Sequence, residues 1–426
     1  MPERLPKLLS QLATHLSAPM REALDAAVSV AAGRGLDLYL VGGGARDLLL
    51  GAAHVDVDLV VEGDAIGLAS ALGGALGARV VAHPRFGTAV VKGEGFRLDL
   101  AQARSEAYER PGALPVVRPA RLDDDLARRD FTVNALALRL TGAQRGELID
   151  PHGGRADVDG RVVRVLHDES FRDDATRILR ALRYAGRLGF DIERHTEALL
   201  RRDTAYLDTI SGARLRHEFE LIAEEERAST IVGRADELGV VTAVHAALRA
   251  GERELRTLER LPGLARSHRD AALFCVVLAR ATAKDAEGAI ERLHLTGRQA
   301  EAVRALLALR DHEPALARPD LRPSEAVALL SATPLAAIEA FALVAGQPLA
   351  GDRARRYVSE WRHIRPRLNG RDIEALGVPH GPKIGEALAL LHEARLDGRT
   401  QNREDEIELV RTALPKDERL VGARRG

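Results

Sequence analysis

A glycine triplet set between two apolar runs constrains the fold more than any other stretch. Leu38-Tyr39-Leu40-Val41-Gly42-Gly43-Gly44-Ala45-Arg46-Asp47-Leu48-Leu49-Leu50-Gly51 is followed at once by Asp56-Val57-Asp58-Leu59-Val60-Val61. The pattern predicts a strand, a glycine turn, a short helix and a second strand. Glycines such as Gly43 let the backbone approach a phosphate, and a helix opening straight after them adds the positive end of its dipole. Arg46 then stands ready as a fixed cation. Because side chains alternate along a strand, Asp56 and Asp58 project from one face while Val57 points the other way. Two carboxylates so placed suit Mg²⁺, which takes hard oxygen ligands and completes its shell with substrate phosphates and water.

The segment G-G-x-x-R-D-x-L-L-G followed by D-x-D resembles the signature of the nucleotidyltransferase superfamily, in the branch of class II tRNA nucleotidyltransferases (CCA-adding enzymes) and bacterial poly(A) polymerases. It is neither a Rossmann nor a Walker loop, since Gly42-Gly43-Gly44 lacks the spacing of the first and the Gly-Lys-Ser/Thr of the second.

Around this stretch, residues 1–35 read as one or two amphipathic helices, with Leu5, Leu8, Leu9, Leu12 and Leu16 at helical spacing. A helix from Asp64 to Leu76 and β-type runs at Arg79–His83, Gly87–Lys92 and Phe96–Leu100 make a small mixed sheet. Asp99 lies on the last run, and the resemblance makes it a third catalytic acid; pairing with Arg97 or Arg104 is the alternative. Ser105–Leu122 is proline-rich and aperiodic, which predicts a loop.

Arg128-Arg129-Asp130-Phe131-Thr132-Val133-Asn134-Ala135 resembles the family's R-R-D-F-T-[IVM]-N-A motif. Two arginines and an acid ahead of an apolar strand can clamp a triphosphate and a ribose hydroxyl; the plainer alternative is pairing with Asp123-Asp124-Asp125. Asp150-Pro151-His152-Gly153-Gly154 reads as a turn closing the head.

Phe171–Phe190 predicts one helix, opened by acids and ended at Gly189, with Asp174, Arg177, Arg180 and Arg183 along a three-residue ridge. Cytosine and adenine present an amino donor beside a ring-nitrogen acceptor, whereas uracil and guanine present a carbonyl beside a ring N–H. A carboxylate and a guanidinium side by side accept the first pair and reject the second. The stretch resembles the family's E-D-x-x-R motif and the R-x-x-R-A-x-R-F after it. That implies Asp174 and Arg177 as the base-reading pair, with Arg180 and Arg183 on the nucleotide or its phosphates. Asp173 stands where Glu is commoner.

From Ser211 the pattern is almost wholly helical. A net charge of −1 over 426 residues sets up no global field for nucleic acid, so any RNA site is a local patch. Arg353, Arg355, Arg356, Arg362 and Arg365 are candidate contacts to an RNA backbone, as is the glycine turn before Lys383. The single cysteine, Cys275, lies in an apolar run and reads as a buried hydrophobe in a reducing cytoplasm; no run is long and apolar enough for a membrane span.

The resemblance implies an α+β protein. Helices at 1–35 precede a pol-β-type nucleotidyltransferase head at 36–155, followed by an all-helical neck at 156–220, body at 221–345 and tail at 346–426. It further implies Mg²⁺ on Asp56 and Asp58, and a template-independent enzyme that adds all or part of the 3′-terminal CCA to tRNA from CTP and ATP with release of pyrophosphate. A poly(A) polymerase and a non-catalytic RNA-binding protein are the alternatives. The motifs set no oligomeric state.

Overall fold

The computed structural model describes residues 5–413 apart from His54, Tyr108, Pro111 and Leu114. Those three members of the predicted loop, the side chain of Leu5 and the 414–426 end of the predicted tail therefore lie outside the described residues. The chain forms two compact units, Met1–Glu218 with Thr230–Val244 and Phe219–Ser229 with His245–Gly426.

In the first unit, α1 (Leu5–His15) and α2 (Ala18–Gly33) lead into β1 (Asp37–Val41), α3 (Gly43–Leu50), β2 (Asp58–Glu62) and α4 (Ala65–Leu76). The meander β3 (Arg79–His83), β4 (Thr88–Gly93) and β5 (Phe96–Gln102) follows. After the pair β6 (Arg104–Ala107) and β7 (Val116–Pro119) come α5 (Leu122–Ala127), β8 (Ala137–Arg139) and β9 (Leu148–Ile149). Seven strands make one mixed sheet, ordered β3-β4-β5-β2-β1-β8-β9. All its pairings are antiparallel except β2 with β5, which run parallel.

Alternation along β1 divides the core. Leu38 and Leu40 pack with Leu12, Leu24, Leu68 and Leu72 of α1, α2 and α4, while Tyr39 and Val41 face Leu122 and Leu126 of α5. The sheet is thus covered by helices on both faces, which leaves its strand ends to carry the polar groups. Val55, Val57 and Leu59 are buried while Asp56 and Asp58 are exposed, so the two acids share a face although β2 starts only at Asp58. The parallel register sets Asp58 directly beside Asp99.

Three expectations are corrected. The predicted loop at 105–122 carries an antiparallel ribbon on either side of its middle, with Arg104 opposite Pro119 and Ala107 opposite Val116, and it gives way to α5 at Leu122. The β-branched pair Val116-Val117 favours a strand, and Pro119 falls at its last residue, where a missing N–H does little damage. The predicted single helix at 171–189 is broken into α7 (Ser170–Asp173) and α8 (Thr176–Leu188), following α6 (Gly154–Gly160). At the break Asp174 is extended (φ −145°, ψ 98°), and its Oδ1 accepts from the Thr176 amide and hydroxyl. An Asp side chain that bonds the backbone locally competes with helix and ends it. The span predicted as an all-helical neck also holds a short parallel ladder, Val162–Val163 with Asp191–Ile192.

The second unit is helical, with Ala271–Leu278 wholly buried in the helix Arg266–Leu278, Cys275 included. Arg353 is buried there, donating to the carbonyls of Leu316 and Arg318 (both 2.6 Å) and Leu321 (2.8 Å). It caps the end of the helix Gly297–Leu316, which removes it from the candidate RNA contacts. Among the described residues no single helix is long and apolar enough to cross a membrane.

The glycine turn packs unevenly. A Cβ on Gly44 would lie 2.3 Å from the Asp56 carbonyl oxygen and 3.0 Å from Leu40, whereas one on Gly43 meets only the Arg46 Nη2 at 3.5 Å. We expect Gly44→Ala to lower the unfolding free energy by about 1–3 kcal/mol in urea titrations and Gly43→Ala to change it by less than ~0.5. Equal effects would show that the contact with the Asp56 backbone is not tight.

Candidate active site

The glycine turn, the segment Arg128–Asn134 and the helices α8 and α10 (Gly212–Glu224) enclose a cavity of ≈ 680 Å³. Gly42 has φ +64°, donates its amide to the Leu136 carbonyl (3.0 Å), and lies so close to the Arg129 guanidinium that a Cβ would be 2.7 Å from Nη1. Only glycine combines that dihedral with that approach.

Arg128 and Arg129 are fixed from behind. Asp125, wholly buried on α5, accepts from Arg128 Nε and Nη2 (3.0 and 2.7 Å) and from Arg129 Nη2 (2.9 Å). Glu106 of the ribbon accepts from Arg128 Nη1 at 2.7 Å. Asp125 pairs with both cations, as the plainer reading has it, and both still line the cavity. Burial works to raise the Asp125 pKa, but the Arg129 and Arg128 charges and their hydrogen bonds outweigh it and hold the carboxyl below the usual range.

Asp130 accepts from the Asn134 amide (3.0 Å) and from Arg180 Nε and Nη2 (2.9 and 2.6 Å). Its burial is likewise outweighed, by the Arg180 charge and the Asn134 hydrogen bond, so it too stays ionised below the usual range. Asp58, Asp174 and Arg177 join Gly43, Arg128, Arg129, Asp130, Asn134 and Arg180 at the cavity wall.

Four residues expected at the site stand elsewhere. Arg46 is buried behind the wall, donating to Asp47 (2.7 Å) and to the Asn134 side-chain Oδ1 (2.5 Å), so it braces the motif instead of presenting a free cation. Arg183 is also buried, 3.5 Å from Glu218. Both guanidiniums lie near the ring of Tyr184, at 5.5 and 5.0 Å from its centroid. Asp56 is off the wall, beside Asp58 in sequence. Asp99 lines an adjoining cavity of ≈ 430 Å³ with Asp58, its carboxylate held by Arg97 at 2.7 and 2.8 Å.

Asp58 keeps more than a third of its surface open, yet crowding of its carboxyl, then the charges of Asp99 and Asp56, push its pKa up. Water screens part of that effect. Arg177 is buried, with Nη1 on the Ser170 hydroxyl and Nη2 on the Arg128 carbonyl (both 2.8 Å).

Sequence reasoning named Asp125 only as part of the plainer alternative, and it missed Glu106, Tyr184, Arg214 and Glu218. The i,i+4 spacing of Arg214 and Glu218, which sets both on one face of a helix, was the available signal for that pair. Glu106 was hidden by the reading of its segment as a loop.

Residues 38–164 match the family model described as the poly A polymerase head domain, and 189–248 the one described as a probable RNA and SrmB-binding site of polymerase A. The chain is 34% identical to the CC-adding tRNA nucleotidyltransferase of Deinococcus radiodurans, over 90% of this chain and 91% of that one. The chain belongs to the tRNA nucleotidyltransferase family. It is also 34% identical to the A-adding tRNA nucleotidyltransferase of Geobacter sulfurreducens over 88% of its own length, though it spans only 45% of that protein. The solved CCA-adding enzyme of Thermotoga maritima, complexed with tRNA, superposes with a TM-score of 0.76 at 28% identity, over 96% of this chain and 98% of that one. The stretch matched as a head domain covers the mixed sheet described above.

Asp125 and Asp130 have lowered pKa values, so the unfolded chain binds their protons more tightly than the folded one. The stability they contribute is complete above the ordinary Asp value of about 4 and is lost as pH falls through their lower folded values. We expect Asp125→Asn to lower stability by about 3 kcal/mol at pH ~7 and to flatten the fall in urea midpoint below pH ~4. Parallel acid limbs in the two proteins would contradict this.

Proposed function

We propose that this protein is a template-independent tRNA nucleotidyltransferase that adds all or part of the 3′-terminal CCA, using CTP and ATP and releasing pyrophosphate. One observation carries the reading. The glycine turn, a carboxylate on the strand end and a braced arginine pair converge on a single cavity of nucleotide size. The relatives' names, which span A-adding and CC-adding enzymes, support the substrate class, and the Thermotoga maritima neighbour supports tRNA as the partner.

In this reading the Gly42-Gly43 backbone and the guanidiniums of Arg128 and Arg129 hold the triphosphate. Asp125 pairs with both side chains and offsets their mutual repulsion, so they are already ordered when the anion arrives. The Asp130–Asn134 pair is placed for a ribose hydroxyl, and Asp174 for the base.

Asp56 and Asp58 are the residues that would hold Mg²⁺, with Asp99 beside them. The donor set fits: among the described residues there is no group of three or more acids, His or Cys placed to cage a metal, but two carboxylates that repel one another suffice for an ion that takes its other ligands from phosphate and water. When bound, the ion supplies Lewis-acid activation of the 3′-hydroxyl and neutralises phosphate charge. The accessible face of Asp58 and its raised pKa support this role, since excess negative charge there is what a cation relieves. A lone, fully buried cysteine supports a cytoplasmic setting.

The test uses tRNA transcripts ending before CCA, after one C and after CC, each given CTP, ATP or both and resolved to single nucleotides. We expect extension confined to C and A, and Asp58→Ala to abolish it while tRNA binding by filter retention persists. Long A tails on unrelated RNA would favour a poly(A) polymerase, and an Asp58→Ala enzyme that still extends tRNA would defeat the assignment.

A further inference from the structure

The second unit holds a cavity of its own, and none of the residues assigned above to nucleotidyl transfer belongs to it. It has a volume of ≈ 290 Å³ and is lined from four helices, Glu252–Leu258, Arg266–Leu278, Gly297–Leu316 and Leu335–Val344. At about 30 Å³ for each water, that is room for a molecule of roughly ten non-hydrogen atoms. Part of the wall is apolar, made by the buried side chains of Val276, Leu306 and Phe341.

Charges of both signs complete the lining. Arg253, Arg280 and Arg310 stand there with Glu254 and Glu313. Two of the arginines are anchored by one nitrogen each, at the ends of helices whose last carbonyls need donors. Arg253 Nη2 donates to the Val344 carbonyl (2.5 Å), and Arg310 Nη1 to the carbonyls of Ala279 (3.2 Å) and Ala281 (3.1 Å). A planar guanidinium fixed at one corner holds its remaining donors in a set direction.

Glu254 carries the argument. It is only 4% exposed, yet among the described residues nothing hydrogen-bonds its carboxylate, and the one cation within reach is Arg280, whose Nε lies 3.8 Å from Oε1. That is beyond hydrogen-bonding distance. Its place in the first turn of Glu252–Leu258 lends it the positive end of the helix dipole. A buried carboxylate without a donor is nevertheless uncommon and unfavourable.

An anion alone would meet Glu254 and Glu313, and a cation alone would meet three guanidiniums. A molecule that carries both charges and an apolar chain satisfies all of these groups. We propose that this cavity binds an apolar α-amino acid. Its ammonium donates to Glu254, its carboxylate accepts from the guanidiniums, and its side chain packs against Val276, Leu306 and Phe341. This is a ligand site separate from the nucleotidyltransferase chemistry.

The experiment titrates the full-length protein with L-leucine by calorimetry, beside two analogues that each lack one charge, 4-methylpentanoate without the amine and 3-methylbutylamine without the carboxylate. Methyl resonances of Val276 and Leu306 report on this cavity, and those of Val41 and Leu59 on the head. We expect saturable binding of L-leucine that shifts the first pair of resonances and leaves the second in place. Each analogue is expected to bind at least ~10-fold more weakly, as is L-leucine to Glu254→Gln, which keeps the shape of the side chain and removes its charge.

No saturable binding of L-leucine, L-valine, L-methionine or L-phenylalanine would overturn the proposal. So would equal binding of 4-methylpentanoate, which would make the cavity an anion site, or wild-type affinity in Glu254→Gln. Shifts confined to Val41 and Leu59 would place the ligand elsewhere and count equally against it. Thermal melting checks the variant, and if Glu254→Gln does not melt cooperatively, the analogues and the methyl shifts of the wild-type protein decide the matter.

Discussion

Asp125 is the group on which the rest of the site depends. A carboxylate with no exposed surface is unfavourable in isolation, and here it is stabilised by two guanidiniums that themselves need an anion. The arrangement solves two problems at once. It keeps Arg128 and Arg129 charged and parallel at the cavity wall, and it anchors α5 under the sheet through Leu122 and Leu126. Asp125 satisfies only part of each guanidinium, and both side chains remain at the cavity wall. Asp130 repeats the device with Arg180 one turn of chain further on.

The fold was legible where one physical cause dominated. The apolar run Leu38–Val41 and the alternation from Asp56 to Leu59 announced the two strands that frame the glycine turn, and Gly189 in the left-handed region ends α8 as its position implied. The parallel register of Asp58 with Asp99 was anticipated only as proximity. What stayed hidden was decided by tertiary partners. Nothing local tells that Arg46 and Arg183 turn inward, which depends on Asn134 and Glu218 arriving from elsewhere, whereas Arg128 and Arg129 are held by Asp125 from three and four residues away.

The break at Asp174 belongs to the same class. Helical spacing around it is sound, and the sequence supports a continuous ridge until the side chain captures Thr176 and meets Arg214, forty residues on. Extending the backbone at this one residue swings the carboxylate out of line with Arg177 and gives it a different cationic neighbour. A pattern in one dimension could name the residues of the ridge but not the pairs they form.

The strand order carries one more implication, for how the protein is made. β1 pairs on one side with β2 and on the other with β8, whose Arg139 lies opposite Tyr39, and the cavity closes only with α10. The meander from β3 to β5 can form as soon as it leaves the ribosome, since its contacts are local. The glycine turn and the acids at its side are synthesised early, yet their cationic wall is a late arrival. The order of synthesis therefore leaves the cavity wall incomplete until most of the first unit has been translated.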